Sequence, residues 1–275
     1  MAVSAYGGQG GRAICTTLLL CRIIQAFTFL TPSVMKRIRL GMLTPSSNTS
    51  LEPLTCAMLA DLPEVSAHFG RFRVTEISLG SGSRGQFELE PILQAARLLA
   101  DARVDVITWN GTSSGWLGFD TDQKLCERIT QETGIPACTA VLGFNEIMQL
   151  GGRRRFGLVS PYLDEVQSRI VANYRSEGFE CVAERHLGIQ VNFEFCNVSE
   201  ESLTRMSREV AQAAPQCITF FCTNLRGAQL VPALETELGI PVYDTVATAL
   251  WKALRVTGVD TARVKGWGSL FQDFA

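Results

Sequence analysis

Histidine is nearly missing from this chain: two among 275 residues, His68 and His186, far apart and without partner spacing. That scarcity argues against a histidine-built zinc site and against a Ser-His-Asp triad. The nine cysteines, at 15, 21, 56, 126, 138, 181, 196, 217 and 222, are odd in number and form no CxxC pair. Several stand in apolar runs, where cysteine behaves as a small hydrophobe. The pattern argues for a reducing compartment, read here as the cytoplasm, over a disulfide framework. Charge is also sparse: 19% of residues, with a formal net charge of -2. That balance gives no reason to expect nucleic acid or an anionic membrane as a partner. The apolar run ICTTLLLCRIIQAFTFL is interrupted by Arg22 and is short for a bilayer span. YGGQGGR follows no strand and lacks the third glycine of a dinucleotide fingerprint. Residues 1–34 are therefore expected to be an N-terminal extension outside the fold.

What is present is an α/β pattern that runs twice. With 46% hydrophobic residues the chain has ample core for two small lobes. From Lys36 onward, short apolar runs alternate with helical periodicity, as parallel βαβ units require. IRLGML (38–43), RVTEISL (73–79), VDVITW (104–109) and IPAC (135–138) read as strands. Helices are expected from about Thr49 to Ala60, over ELEPILQAARLLADA, over TDQKLCERITQETG with a Gly134 cap, and over AVLGFNEIMQL. Then three echoes follow in order: FGLVSPYLDEV repeats LGMLTPSSNTS, CITFFCTN repeats VITWNGTS, and GIPVYDTV repeats GIPACTAV. The expected architecture is two pseudo-symmetric Rossmann-like lobes, each with a parallel four-stranded sheet. Residues 35–150 with 247–275 would form the first lobe and 151–246 the second.

Ligands of open parallel sheets bind beyond the carboxyl ends of the strands. The turns after 38–43, 104–109, 156–160 and 217–221 should therefore converge on one cleft, with Gly111 and Cys222 facing across it. A thiol at a strand's carboxyl end, just before a helix start, is expected to have a lowered pKa and an accessible thiolate. Two such thiols could exchange a proton at one carbon. A single one can protonate a carbanion formed another way, such as by loss of carbon dioxide. Thr112 and Ser113 offer a carboxylate or oxyanion cradle. Ser46, Ser47 and Asn48 could serve the same end or simply cap a helix. Tyr162 is equally a packed aromatic or a donor, and Trp109 and Trp116 equally core or pocket wall.

Taken in order, these motifs resemble the aspartate/glutamate racemase superfamily, in its maleate isomerase and arylmalonate decarboxylase branch. The resemblance runs from about Ile38 to GWGSLF near the C-terminus and implies an active site between the lobes with no metal or organic cofactor. GTS at 111–113 looks like the decarboxylase pattern, in which glycine replaces the first catalytic cysteine. The resemblance then assigns Cys222 as proton donor to an enediolate. Thr112, Ser113, Tyr162 and backbone N–H groups near Thr223 would form a dioxyanion hole. TPSSNT, CTN and Asn192 in LGIQVNFEF are similar to maleate isomerases, whose asparagines bind substrate carboxylates. Those isomerases attack with a first cysteine where this chain has Gly111. The mixture also resembles predicted decarboxylases of ectoine utilisation. Three functions remain open at this point: a decarboxylase of a small malonate-type diacid, a maleate cis–trans isomerase or racemase, and a non-catalytic dicarboxylate-binding accessory protein. The implied partner is a small dicarboxylate, and the chain would act as a monomer or homodimer.

Overall fold

The computed structural model describes residues 1–5, 7, 37–79 and 89–275. The expectation for residues 1–34 thus falls almost wholly outside the described residues. Arg37–Ala275 forms one compact unit. Its first half contains β1 (Ile38–Pro45), β2 (Val65–Phe72), β3 (Val106–Trp109) and β4 (Ala137–Thr139), parallel, in the order β2-β1-β3-β4. The second contains β5 (Arg155–Ser160), β6 (Glu180–His186), β7 (Cys217–Phe220) and β8 (Val242–Asp244), also parallel, in the order β6-β5-β7-β8. The strand order is the same in both halves.

Helices α1 (Leu51–Met58) and α2 (Leu89–Asp101) belong to the first half, with a single turn α3 (Ser114–Leu117), then α4 (Phe119–Thr133) and α5 (Ala140–Leu150). In the second half come α6 (Asp164–Ser176), α7 (Glu200–Ala211), α8 (Val231–Leu238) and α9 (Thr245–Val256), before a short α10 (Leu270–Asp273). None of the helices among the described residues is long and apolar enough to cross a membrane.

The repeat extends to individual hydrogen bonds. Gly134 and Gly239 end α4 and α8 in the left-handed region, at φ 70° and 67°, a conformation only glycine adopts without penalty. The Ile-Pro that follows each enters a strand, and Pro136 and Pro241 each accept from the β3 or β7 isoleucine N–H at 3.0 Å. Thr139 and Asp244 then cap α5 and α9 from equivalent positions. One buried aromatic cluster joins the halves: Phe144 of α5 meets Phe156, Tyr174, Phe221 and Tyr243 edge-on, with ring centroids 6.0–6.3 Å apart. The α9 helix packs back on α5, β3 and β4.

Two segments differ from the sequence reading. Residues 73–79 are not a strand of the sheet; β2 precedes them, and only Glu76 makes an isolated antiparallel bridge, to Val191. The segment carries strand-like Val and Ile because it is a strap crossing to the second half. Its Val74 and Ile77 are buried at 1% and 6% exposure, and Ile77 N–H donates to the Gln190 carbonyl at 2.9 Å. The second difference is β6, ECVAERH, an edge strand whose charges conceal it from a reading based on apolar runs.

Candidate active site

The carboxyl ends of β1, β3, β5 and β7 converge as the topology requires. Gly111, Thr112, Ser113, Tyr162, Asn192, Cys222 and Thr223 line one cavity of about 20 Å³, with Pro45, Val74, Ile77, Trp109, Trp116 and Phe195. That volume holds roughly one water molecule. A groove of about 560 Å³, with Thr49, Arg226 and Gln229 among its walls, shares no lining residue with it. The chemistry-bearing side chains belong to the smaller space.

Tyr162 is the centre of the arrangement. Its hydroxyl lies 2.6 Å from Thr112 Oγ1 and within hydrogen-bond reach of Cys222. Trp116 and Phe195 hold its ring edge-on at 5.3 and 5.6 Å. Burial pushes its phenol well above the ordinary range, so Tyr162 stays protonated as a donor.

Cys222 departs from expectation in one respect. It lines the same cavity as the 111–113 turn, but it is buried, at 3% exposure, and no α-helix starts directly after it; the next helical residues are the 3₁₀ turn Ala228–Leu230. Burial pushes its thiol up to about 12, only partly offset by the Tyr162 hydroxyl and the N–H groups of Asn224 and Leu225. Desolvation outweighs the local donors, so the group is a neutral thiol rather than a thiolate. Asn224 N–H reaches its Sγ at 3.4 Å.

Asn48 is buried but does not line the cavity. Its Oδ1 accepts from the Ser50 and Leu51 N–H groups at 3.0 and 2.9 Å, capping α1. Its amide donates to Thr223 Oγ1 at 3.2 Å, and Thr223 in turn donates to the Asn110 carbonyl at 2.9 Å. Asn192 lines the cavity while its carbonyl accepts from Asn224 Nδ2 at 2.7 Å.

Asn224 escaped the sequence reading as a residue in its own right, although CTN was a noted motif. Its Oδ1 accepts from the Thr49 and Ser50 N–H groups at 3.0 and 3.3 Å, so one amide ties the first turn, the Cys222 turn and Asn192 together. The available signal was an asparagine in a turn beside the candidate cysteine. Arg71 was also missed: it donates to the Ser46 and Asn48 carbonyls at 2.9 and 3.0 Å and pairs with Glu52.

Two buried carboxyls hold their protons far more tightly than an exposed aspartate does. Burial pushes Asp122 and Asp244 up to about 7. A carboxyl whose pKa is higher folded than unfolded binds its proton more tightly in the native state. The associated stability is therefore complete below pH about 4 and is lost as pH rises through about 7. Asp122→Asn should remove about 2 kcal/mol of the native chain's stability loss between pH 5.5 and 7.5. Thermal melts across that range check it; equal pH slopes for the two proteins would contradict it.

The family model described as arylmalonate decarboxylase matches residues 43–271. The chain belongs to the arylmalonate decarboxylase family. Within this arylmalonate decarboxylase and maleate isomerase group, it is 27% identical over 240 residues to the arylmalonate decarboxylase of Bordetella bronchiseptica, covering 85% of this chain and 96% of the relative. It is 25% identical over 244 residues to the maleate isomerase of Nocardia farcinica, covering 85% and 95%. In three dimensions it is similar to a Nocardia farcinica maleate cis–trans isomerase, a cysteine-to-serine mutant with a covalently bound succinylcysteine intermediate. There the TM-score is 0.80 at 22% identity, covering 86% of this chain and 99% of that one. A liganded double mutant of arylmalonate decarboxylase, glycine to cysteine and cysteine to serine, aligns with a TM-score of 0.77 at 23% identity, covering 86% and 99%. The fold with its two parallel four-stranded sheets is thus that of the arylmalonate decarboxylase family, which spans decarboxylases and isomerases.

Proposed function

We propose that this chain is a cofactor-independent decarboxylase of a small malonate-type dicarboxylic acid. The observation that carries the reading is a single thiol, Cys222, kept protonated by burial, lining one cavity with the Thr112 and Tyr162 hydroxyls, where the Gly111 turn supplies no second thiol. The carbon–carbon bond to one carboxylate breaks, and carbon dioxide leaves without the bonding pair. That pair delocalises into the remaining carboxylate as an enediolate. Cys222 Sγ–H protonates the carbon from one face, and the thiolate recovers its proton from water. Thr112 and Tyr162, hydrogen-bonded to each other at 2.6 Å, leave one hydroxyl proton of the pair to donate to the oxygens on which charge builds, where one donor contributes roughly 10²–10³ in rate.

The walls support loss of a carboxylate over its retention. Pro45, Val74 and Ile77 offer it no hydrogen-bonding side chain, which favours a departing neutral molecule over an anion. The cavity is narrower than a diacid, so entry requires its walls, Val74 and Ile77 among them, to yield.

Maleate isomerisation is the second reading, favoured by Asn192 on the cavity wall; a ligand-binding role without turnover is the third. One experiment separates them. Methylmalonate in deuterated water should give propionate with a single deuterium and an equivalent of carbon dioxide by NMR. Fumarate from maleate without carbon loss would select isomerisation, and thermal stabilisation by a diacid recovered unchanged would select binding.

A further inference from the structure

Trp109 stands between two spaces. With Ser113, it lines both the cavity of about 20 Å³ and a second one of about 230 Å³. The second is walled by Leu89, Ile92, Leu117 and Leu125, with Lys124 and Arg128 also on its lining. The indole lies directly over Gly111: a Cβ built there would come within 1.9 Å of Trp109 Cζ2. Phe72 packs against the ring with centroids 5.1 Å apart, and Trp109 is 1% exposed. The side chain is therefore a fixed partition.

We infer that Trp109 is the specificity-determining residue of the site and restricts the substituent on the reacting carbon to small groups. The inference rests on the decarboxylase reading above. Shortening the side chain joins the two spaces and admits a nonpolar group of benzyl size at the reacting carbon. The apolar walls Leu89, Ile92 and Leu125 set that chemistry, because the two cations on the lining, Lys124 and Arg128, are already paired with Asp120 and Glu132 and an ionised group moved in would lose its hydration. An apolar cavity of about 150 Å³ already suffices for benzene.

The test compares Trp109→Leu with the native protein on methylmalonate and benzylmalonate. Calorimetry on the two products, propionate and 3-phenylpropionate, gives binding apart from turnover. The benzyl-to-methyl ratio of kcat/KM should rise at least tenfold, and the affinity ratio of 3-phenylpropionate to propionate at least fivefold. Adding Leu117→Trp, which fills the rear cavity from its half-exposed wall, should return both ratios toward the native values. Unchanged ratios in Trp109→Leu, or a gain that Leu117→Trp leaves intact, overturn the inference. If neither protein releases carbon dioxide from either acid, the decarboxylase reading fails, and product affinities alone decide the role of Trp109. Should the leucine variant not fold, Trp109→Phe carries the same comparison with a threefold threshold.

Discussion

Cys222→Ala is expected to lower kcat for decarboxylation by about 10³–10⁴-fold, the upper part of what a positioned general acid contributes. Two groups with titratable protons line the cavity, Cys222 and Tyr162, and the phenol is already engaged by Thr112 at 2.6 Å. Removing the thiol leaves the enediolate without its intended donor, while carbon dioxide can return to it. Cys222→Ser keeps a hydroxyl but a weaker acid, and should recover little. Burial pushes the thiol up to about 12, so the donor form persists as pH rises and is lost only as pH approaches that value. No alkaline decline assignable to Cys222 should therefore occur between pH 6 and 9. Initial rates of carbon dioxide release give the kinetic answer, and propionate binding by the alanine variant shows that the site still forms. An undiminished rate in Cys222→Ala would dismiss the proposed step.

The duplicated architecture was legible because each echo carries a physical requirement. GIP occurs twice since both helices end on a left-handed glycine before a strand, at Gly134 and Gly239. The polar turns after β3 and β7 were legible as facing partners because parallel strands deliver their carboxyl ends to one side. The strap at 73–79 was not legible: an extended segment buried against the opposite half has the same composition as a strand, and only topology separates them. The state of the Cys222 thiol was not legible either. The sequence shows the nearby N–H donors, whereas desolvation depends on how deeply the folded chain buries the thiol, to 3% exposure. Asn48 illustrates the same limit, since its helix-capping and Thr223 contacts use side-chain atoms that the motif alone leaves uncommitted.

Gly111 has a second physical meaning, and it gives the other large expected effect. Gly111→Cys should destabilise the fold by about 3 kcal/mol, the upper end for overpacking, lowering Tm by roughly 6–12 °C for a body of this size. A Cβ at 111 would meet Trp109 Cζ2, Cε2 and Cη2 at 1.9, 2.3 and 2.5 Å, and an indole packed on Phe72 has no flexible end to move aside. Trp109→Leu should relieve much of that cost, so the double variant should melt above the sum of the two single losses, a coupling of at least about 1 kcal/mol. Thermal melts of the four proteins measure it. If Gly111→Cys melts with the native chain, the ring does not hold that place, and the partition argued for Trp109 falls with it. If the coupling is found, the space a side chain at 111 would need is already occupied by tryptophan, and a second thiol can be installed there only by first displacing the ring. Exchange of a proton between two thiols at one carbon would then require both substitutions together.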